Sequence, residues 1–237
     1  MPQSNVSTKL KVLSTLVLFV FVAFLMLTTE IKAAEPFHIT FQGDEADKFP
    51  AGWEATNNDS AAKIYTVKVE GGKKFLHADA HAQAMQVGVE HSFALRELPE
   101  FEWQWRALIF PEGTDEREKS HNDSVLAIYV VFGHWPFLSS IKYIWSDTLP
   151  VGTTFNSPTS ASTKVVVVRS GRAQANEWIT EKRNLLNDYR QLFGEKEKNP
   201  TASGIAVLTD ADNTGTHASA DYGDMEVFAP NGQDPRL

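Results

Sequence analysis

From Pro36 onward, apolar and polar residues alternate with a period of two, in short runs bounded by Gly, Pro, Asn and Asp. That is the signature of extended segments whose successive side chains point to opposite faces. The pattern predicts strands at Phe37–Phe41, Ile64–Val69, Lys74–Ala78, Ala84–Ser92, Phe101–Phe110, Ser124–Phe132, Ser140–Ser146, Thr163–Arg169, Gly204–Thr209 and Tyr222–Phe228. Short strands without long alternating helices argue against a parallel α/β sheet. They predict an all-β domain over residues 35–230, a two-sheet antiparallel β-sandwich or jelly roll. In Phe101-Glu102-Trp103-Gln104-Trp105-Arg106 the aromatics fall on one face, which must be core, while Glu102, Gln104 and Arg106 face water or ligand. Val125–Phe132 and Val165–Val168 are apolar on both parities, as central strands covered on both sides are. Between Trp178 and Phe193 the period changes: Leu185, Tyr189, Leu192 and Phe193 recur at helical spacing and Gly194 can cap, so one short helix is predicted there. The tail Asn231–Leu237 loses its apolar pattern and is predicted to fray.

Ahead of the strands, Lys9 and Lys11 precede an uncharged stretch, Val12–Leu27, and Ala33 and Ala34 close the segment. This is the layout of a secretory signal over residues 1–34. At about 1.5 Å per residue the stretch spans roughly 24 Å as a helix, short of the ~30 Å hydrocarbon core. The expectation is a cleaved signal and a periplasmic or secreted protein. The alternative is an inner-membrane anchor with the folded part facing the periplasm, and then the N-terminal segment is the only membrane contact.

The composition, 42% hydrophobic and 22% charged over 237 residues, is that of a globular chain and excludes a disordered one. The formal charge is −8. Removing residues 1–34 takes away Lys9, Lys11 and Lys32 but only one acid, Glu30, so the remainder is more acidic still. An acidic body repels phosphate backbones, and nucleic acid is not an expected partner. With no cysteine, the chain has no disulfide, thiolate metal site or thiol nucleophile. Walker, G-x-S-x-G and dinucleotide-binding glycine patterns are also missing.

Several side chains remain as candidates. Asp210, Asp212 and Thr214 follow a strand at two-residue spacing and precede Gly215, so they partly imitate a calcium loop; a hydrogen-bonded turn is the competing reading. Tyr143 and Trp145 share a strand parity, and aromatic rings stack on sugar faces or else fill the interior. Arg106 and Arg169 can bind hydroxyl or carboxylate groups, and Glu181 can transfer a proton. Arg169, Glu181, Arg183 and Asp188 can instead be ion pairs that fasten the helix to a sheet. His77 and His81 lie four apart at a predicted strand end, a weak metal signal without a surrounding helix.

Taken in order, WxW at Trp103–Trp105, YVVFG at Tyr129–Gly133, YxWS at Tyr143–Ser146, VVVRSG at Val166–Gly171, WxxExRN at Trp178–Asn184, DYxxxFG at Asp188–Gly194, GIAVLTDADNTG at Gly204–Gly215 and YGD at Tyr222–Asp224 resemble the bacterial family DUF3047. The resemblance spans Phe37 to Phe228. It implies an exported protein and a β-sandwich like those of lectins, concanavalin and carbohydrate-binding modules, and it carries no agreed activity. The resulting expectation is a non-catalytic module that binds a glycan or other cell-envelope component through Arg106, Tyr143, Trp145, Arg169 and Glu181, with a candidate calcium ion at Asp210, Asp212 and Thr214. The alternative is a polysaccharide lyase or hydrolase on the same scaffold, and a third reading is an assembly factor that docks a protein through exposed aromatics.

Overall fold

The computed structural model describes residues 34–230. The leader expected over residues 1–34, apart from Ala34, and the tail Asn231–Leu237 lie outside the described residues.

The chain order is β1 (Phe37–Ile39), β2 (Glu54–Ala55), α1 (Asn58–Ala61), β3 (Tyr65–Glu70), β4 (Lys73–His81), β5 (Val87–Ala94), β6 (Glu100–Ile109), β7 (Leu126–Phe132), β8 (Ser139–Ser146), β9 (Thr154–Ser157), β10 (Ser160–Ser170), β11 (Ile179–Asn184), α2 (Leu185–Phe193), β12 (Thr201–Leu208) and β13 (His217–Phe228). Sheet A has the order β11-β6-β13-β4-β3, with β1 on β13, and sheet B the order β2-β5-β12-β7-β8-β10-β9. The two pack as a sandwich.

Trp103 and Trp105 from sheet A meet Tyr143 and Trp145 from sheet B inside the sandwich, with ring centroids 5.4 Å apart for Trp103–Tyr143 and 6.1 Å for Trp105–Trp145. Leu76, Tyr65 and Tyr222 from sheet A and Leu126 and Ile128 from sheet B complete this interior. The β6 alternation sorted its faces as expected: every odd residue from Phe101 to Ala107 is buried and the even ones between them are half-buried. Strands β7 and β10 are covered on their second face too, where Ala127, Ile144, Leu149, Val165 and Val167 form a separate small cluster.

Three local expectations need correction. Sheet B is mixed, because β10 runs parallel to β8; the chain leaves β8, lays β9 beyond it, and returns as β10 between the two. The segment starting at Trp178 is not helical until Leu185: Ile179–Asn184 pairs with β6 from Trp105 to Glu100. Asn184 ends that strand and caps the helix, its side chain accepting the Asn187 amide at 2.9 Å. Gly194 caps the other end at φ 83°, as its position predicts. Finally, β4 runs past the predicted end at Ala78 to His81, so His77, Asp79 and His81 all project from one face of sheet A.

Candidate functional site

The outer face of sheet B carries a groove in two adjoining parts, of about 620 and 470 Å³, which share Gln86, Val131 and Leu138. The wider part runs over Gly88, Gly204 and Ala206, whose small side chains leave the floor low. Its lip is the turn between β7 and β8. Trp135 and Phe137 there are 85% and 87% exposed, and Trp135 lines the groove. Nothing among the described residues buries these rings, and an exposed pair of rings at the edge of a groove is suited to contact with a ligand. Glu54 and Glu90 line the same part.

The narrower part is walled by hydroxyls. Ser140 Oγ lies 2.9 Å from Thr163 Oγ1, Thr163 is 3.2 Å from Ser160 Oγ, and Ser160 is 3.2 Å from Ser162 Oγ, with Ser157 and Thr159 beside them. Tyr129, Met85 and Leu208 also line this part. A hydroxyl both donates and accepts, so a chain of them can re-pair with the hydroxyls of a bound ligand.

Charged groups are buried beside the groove. Lys142 is opposite Tyr129 on the neighbouring strand, with its ammonium 5.7 Å from the ring centre. Burial works against its charge, but Tyr129, Asp210 and Glu116 more than offset that and hold its pKa above the ordinary lysine value. Glu116, buried and bonded to Ser146 Oγ at 2.9 Å, is pushed up by desolvation. Asp210 is pushed up to about 8, first by burial and then by Asp123 and Asp212, against the opposing pull of Lys142. The carboxylates of Asp123, Asp210 and Asp212 lie within 4.8 Å of one another. Asp123 is fully buried and accepts the amides of Asn213 at 3.1 Å and Thr214 at 2.8 Å and the Thr214 hydroxyl at 2.6 Å. Thr214 thus donates to Asp123, and the carboxylates that lie together here are those of Asp123, Asp210 and Asp212.

Of the residues expected to bind ligand, Arg169, Glu181 and Trp145 meet, with the Arg169 guanidinium 5.5 Å from the Trp145 ring centre and paired to Glu181, whereas Arg106 lies apart from them. Tyr143 and Trp145 are fully buried in the interior, so their rings offer no sugar-stacking face. Tyr143 donates to Asp188 at 2.7 Å, and Trp145 donates through Nε1 to the Gly171 carbonyl at 2.9 Å. Arg183 forks onto Asp188 at 2.9 and 2.5 Å, which fastens α2 to the sandwich. Arg169 pairs with Glu181 at 2.5 Å and also bonds Gln174. Arg106 is on the outer face of sheet A, held by Asp221 at 2.7 Å and Glu70 at 2.8 Å with its guanidinium over the Trp178 ring. These arginines and carboxylates thus satisfy one another and share no cleft with the groove. Sequence reasoning passed over the groove's own residues, although the Ser/Thr-rich run Ser157–Thr163 and the Trp-Pro-Phe segment were legible as concentrations of hydroxyls and of aromatic rings next to a proline.

A family model described as protein of unknown function (DUF3047) matches residues 51–226. No curated protein matches the chain. Similar solved structures include a thermostable cellulase derived from Cel12A of Rhodothermus marinus (13% identity, 81% of this chain and 99% of that one, TM-score 0.40). Another is the xyloglucanase domain of NopAA, a type three effector from Sinorhizobium fredii, in complex with cellobiose (8% identity, 83% and 96%, TM-score 0.38). A third is endoglucanase 3 of Trichoderma harzianum, from family GH12 (12% identity, 84% and 99%, TM-score 0.42).

Proposed function

The chain belongs to DUF3047, a family without an assigned activity, and from its own geometry we propose that it is an exported, non-catalytic sandwich that binds a glycan strand along the outer face of sheet B. The observation that carries this reading is the pairing of an exposed tryptophan lip with a hydroxyl-walled groove. An indole presents a flat apolar face to a sugar ring while hydroxyls meet the ring's edge, and each groove part falls in the ~300–1,000 Å³ range of ligand sites. Export rests on Lys9, Lys11 and the uncharged Val12–Leu27 stretch. A hard cation in the loop after β12 would use Asp123, Asp210 and Asp212.

The test is a glycan array run beside product analysis. Wild type is expected to retain a polysaccharide without shortening it, and Trp135→Ala to weaken that retention about tenfold, which is ~1.4 kcal/mol, while leaving the melting temperature unchanged. Retention unaffected by this change would remove the groove from the reading. A second reading, a polysaccharide-acting enzyme, has one observation in its favour: two carboxylates, Glu54 and Glu90, line the groove. Release of new chain ends, abolished by Glu54→Gln or Glu90→Gln, would establish it.

A further inference from the structure

We propose that Asp79, His81 and His217, on the outer face of sheet A, form a binding site for a divalent ion of the zinc class. Strand pairing builds the site. His81 on β4 and His217 on β13 are direct cross-strand partners, and Asp79 lies two residues back along β4, hence on the same face. The two imidazoles stack with centroids 3.8 Å apart and planes 16° from parallel. Both turn Nε2 toward one carboxylate: His217 Nε2 is 2.7 Å from Asp79 Oδ1, and His81 Nε2 is 3.3 Å from Asp79 Oδ2.

Three ligand atoms, one per residue, therefore lie within 4.8 Å of one another. Around a tetrahedral centre with bonds of about 2.0–2.1 Å, neighbouring ligand atoms are roughly 3.3 Å apart, so the His81–Asp79 spacing already fits and the His217–Asp79 contact needs to open slightly. As long as no ion is bound, the proton of each Nε2 supplies the bond to Asp79; a metal takes the same lone pairs by displacing those protons. Two imidazoles and one carboxylate select zinc, nickel or copper over calcium or magnesium, which prefer all-oxygen shells. The side chains are 45%, 67% and 32% exposed for Asp79, His81 and His217, so an ion has a path in and a fourth position open to water. Bound there, it would tie the end of β4 to the start of β13. The site lies on the opposite sheet from the glycan groove and is independent of it.

Calorimetric titration of the full chain with zinc chloride tests this. Wild type is expected to bind one zinc ion saturably, and His81→Gln and His217→Ala each to weaken that binding at least about tenfold, since each removes one of three donors. His121→Ala, an exposed histidine on another loop, should bind zinc as wild type does. If His217→Ala fails to fold, His81→Gln retains the test, because its ring is mostly exposed and its backbone pairing is untouched. No saturable binding by wild type, or equal affinity in wild type and His81→Gln, would overturn the proposal.

Discussion

Asp210 meets the end of β12 with two further carboxylates, Asp123 and Asp212, within 4.8 Å. Three carboxyl groups so close repel one another when ionised, and Lys142 opposes that repulsion. Burial first, and then the neighbouring Asp123 and Asp212 carboxylates, favour a proton on Asp210 and raise its pKa from 3.8 to about 8. The folded state holds this proton more tightly than the unfolded state does. The associated stability is therefore full below about pH 4 and is lost as the pH climbs to about 8. In chelator, wild type is expected to become easier to denature with urea between pH 5 and 8 on this account, and Asp210→Asn to flatten that part of the curve. An unchanged slope in the variant would refute the assignment. At pH 8, calcium acting through the same carboxylates would raise the wild-type midpoint and leave the variant unmoved; a wild-type midpoint indifferent to calcium reduces the loop to a hydrogen-bonded turn.

At the level of elements, the β7–β8 hairpin sets the lip of the groove, and Gly133 sets the hairpin. Its φ of 80° lies in the left-handed region, and a Cβ there would stand 2.4 Å from the Phe137 carbonyl oxygen. Gly133→Ala therefore brings both the ~1–2 kcal/mol cost of a left-handed alanine and a backbone clash. We expect it to displace Trp135, lowering glycan retention as far as Trp135→Ala does and the melting temperature by several degrees, with far-ultraviolet circular dichroism unchanged. Full retention in this variant would mean that the lip is not positioned by the turn. Elements also show where reading the sequence falls short. The β11 segment contains Ile179, Lys182 and Arg183 in an order that helix and strand both tolerate, and only its pairing with β6 decides between them. The parallel partnership of β8 and β10 leaves no local mark at all, because alternation is the same whichever way a neighbour runs.

For the molecule as a whole, the interior is one cluster shared by both sheets, with Trp103, Trp105, Tyr143 and Trp145 at its centre. Truncating a fully buried indole there removes packing from two sheets at once, so Trp105→Ala should cost about 3–5 kcal/mol and shift a single unfolding transition. Two separate transitions would show that the sheets unfold independently.

Alternation by itself determined the architecture: apolar rings at every second position of β6 must be buried, and enough such strands without intervening helices have to stack as two sheets. The same local logic put Gly194 at the end of a helix and kept disulfides out of the account. Tertiary structure alone decided which face met water. Tyr143 and Trp145 have the same parity in a sugar-binding strand as in a core strand, and the position of sheet A over them made them core. It alone also decided which distant groups converge, since Asp79 meets His217 across 138 positions and Asp123 meets Thr214 across 91. Periodicity is a property of neighbours along the chain, whereas a site is a property of neighbours in space, and in a sheet protein long-range pairing sets the second.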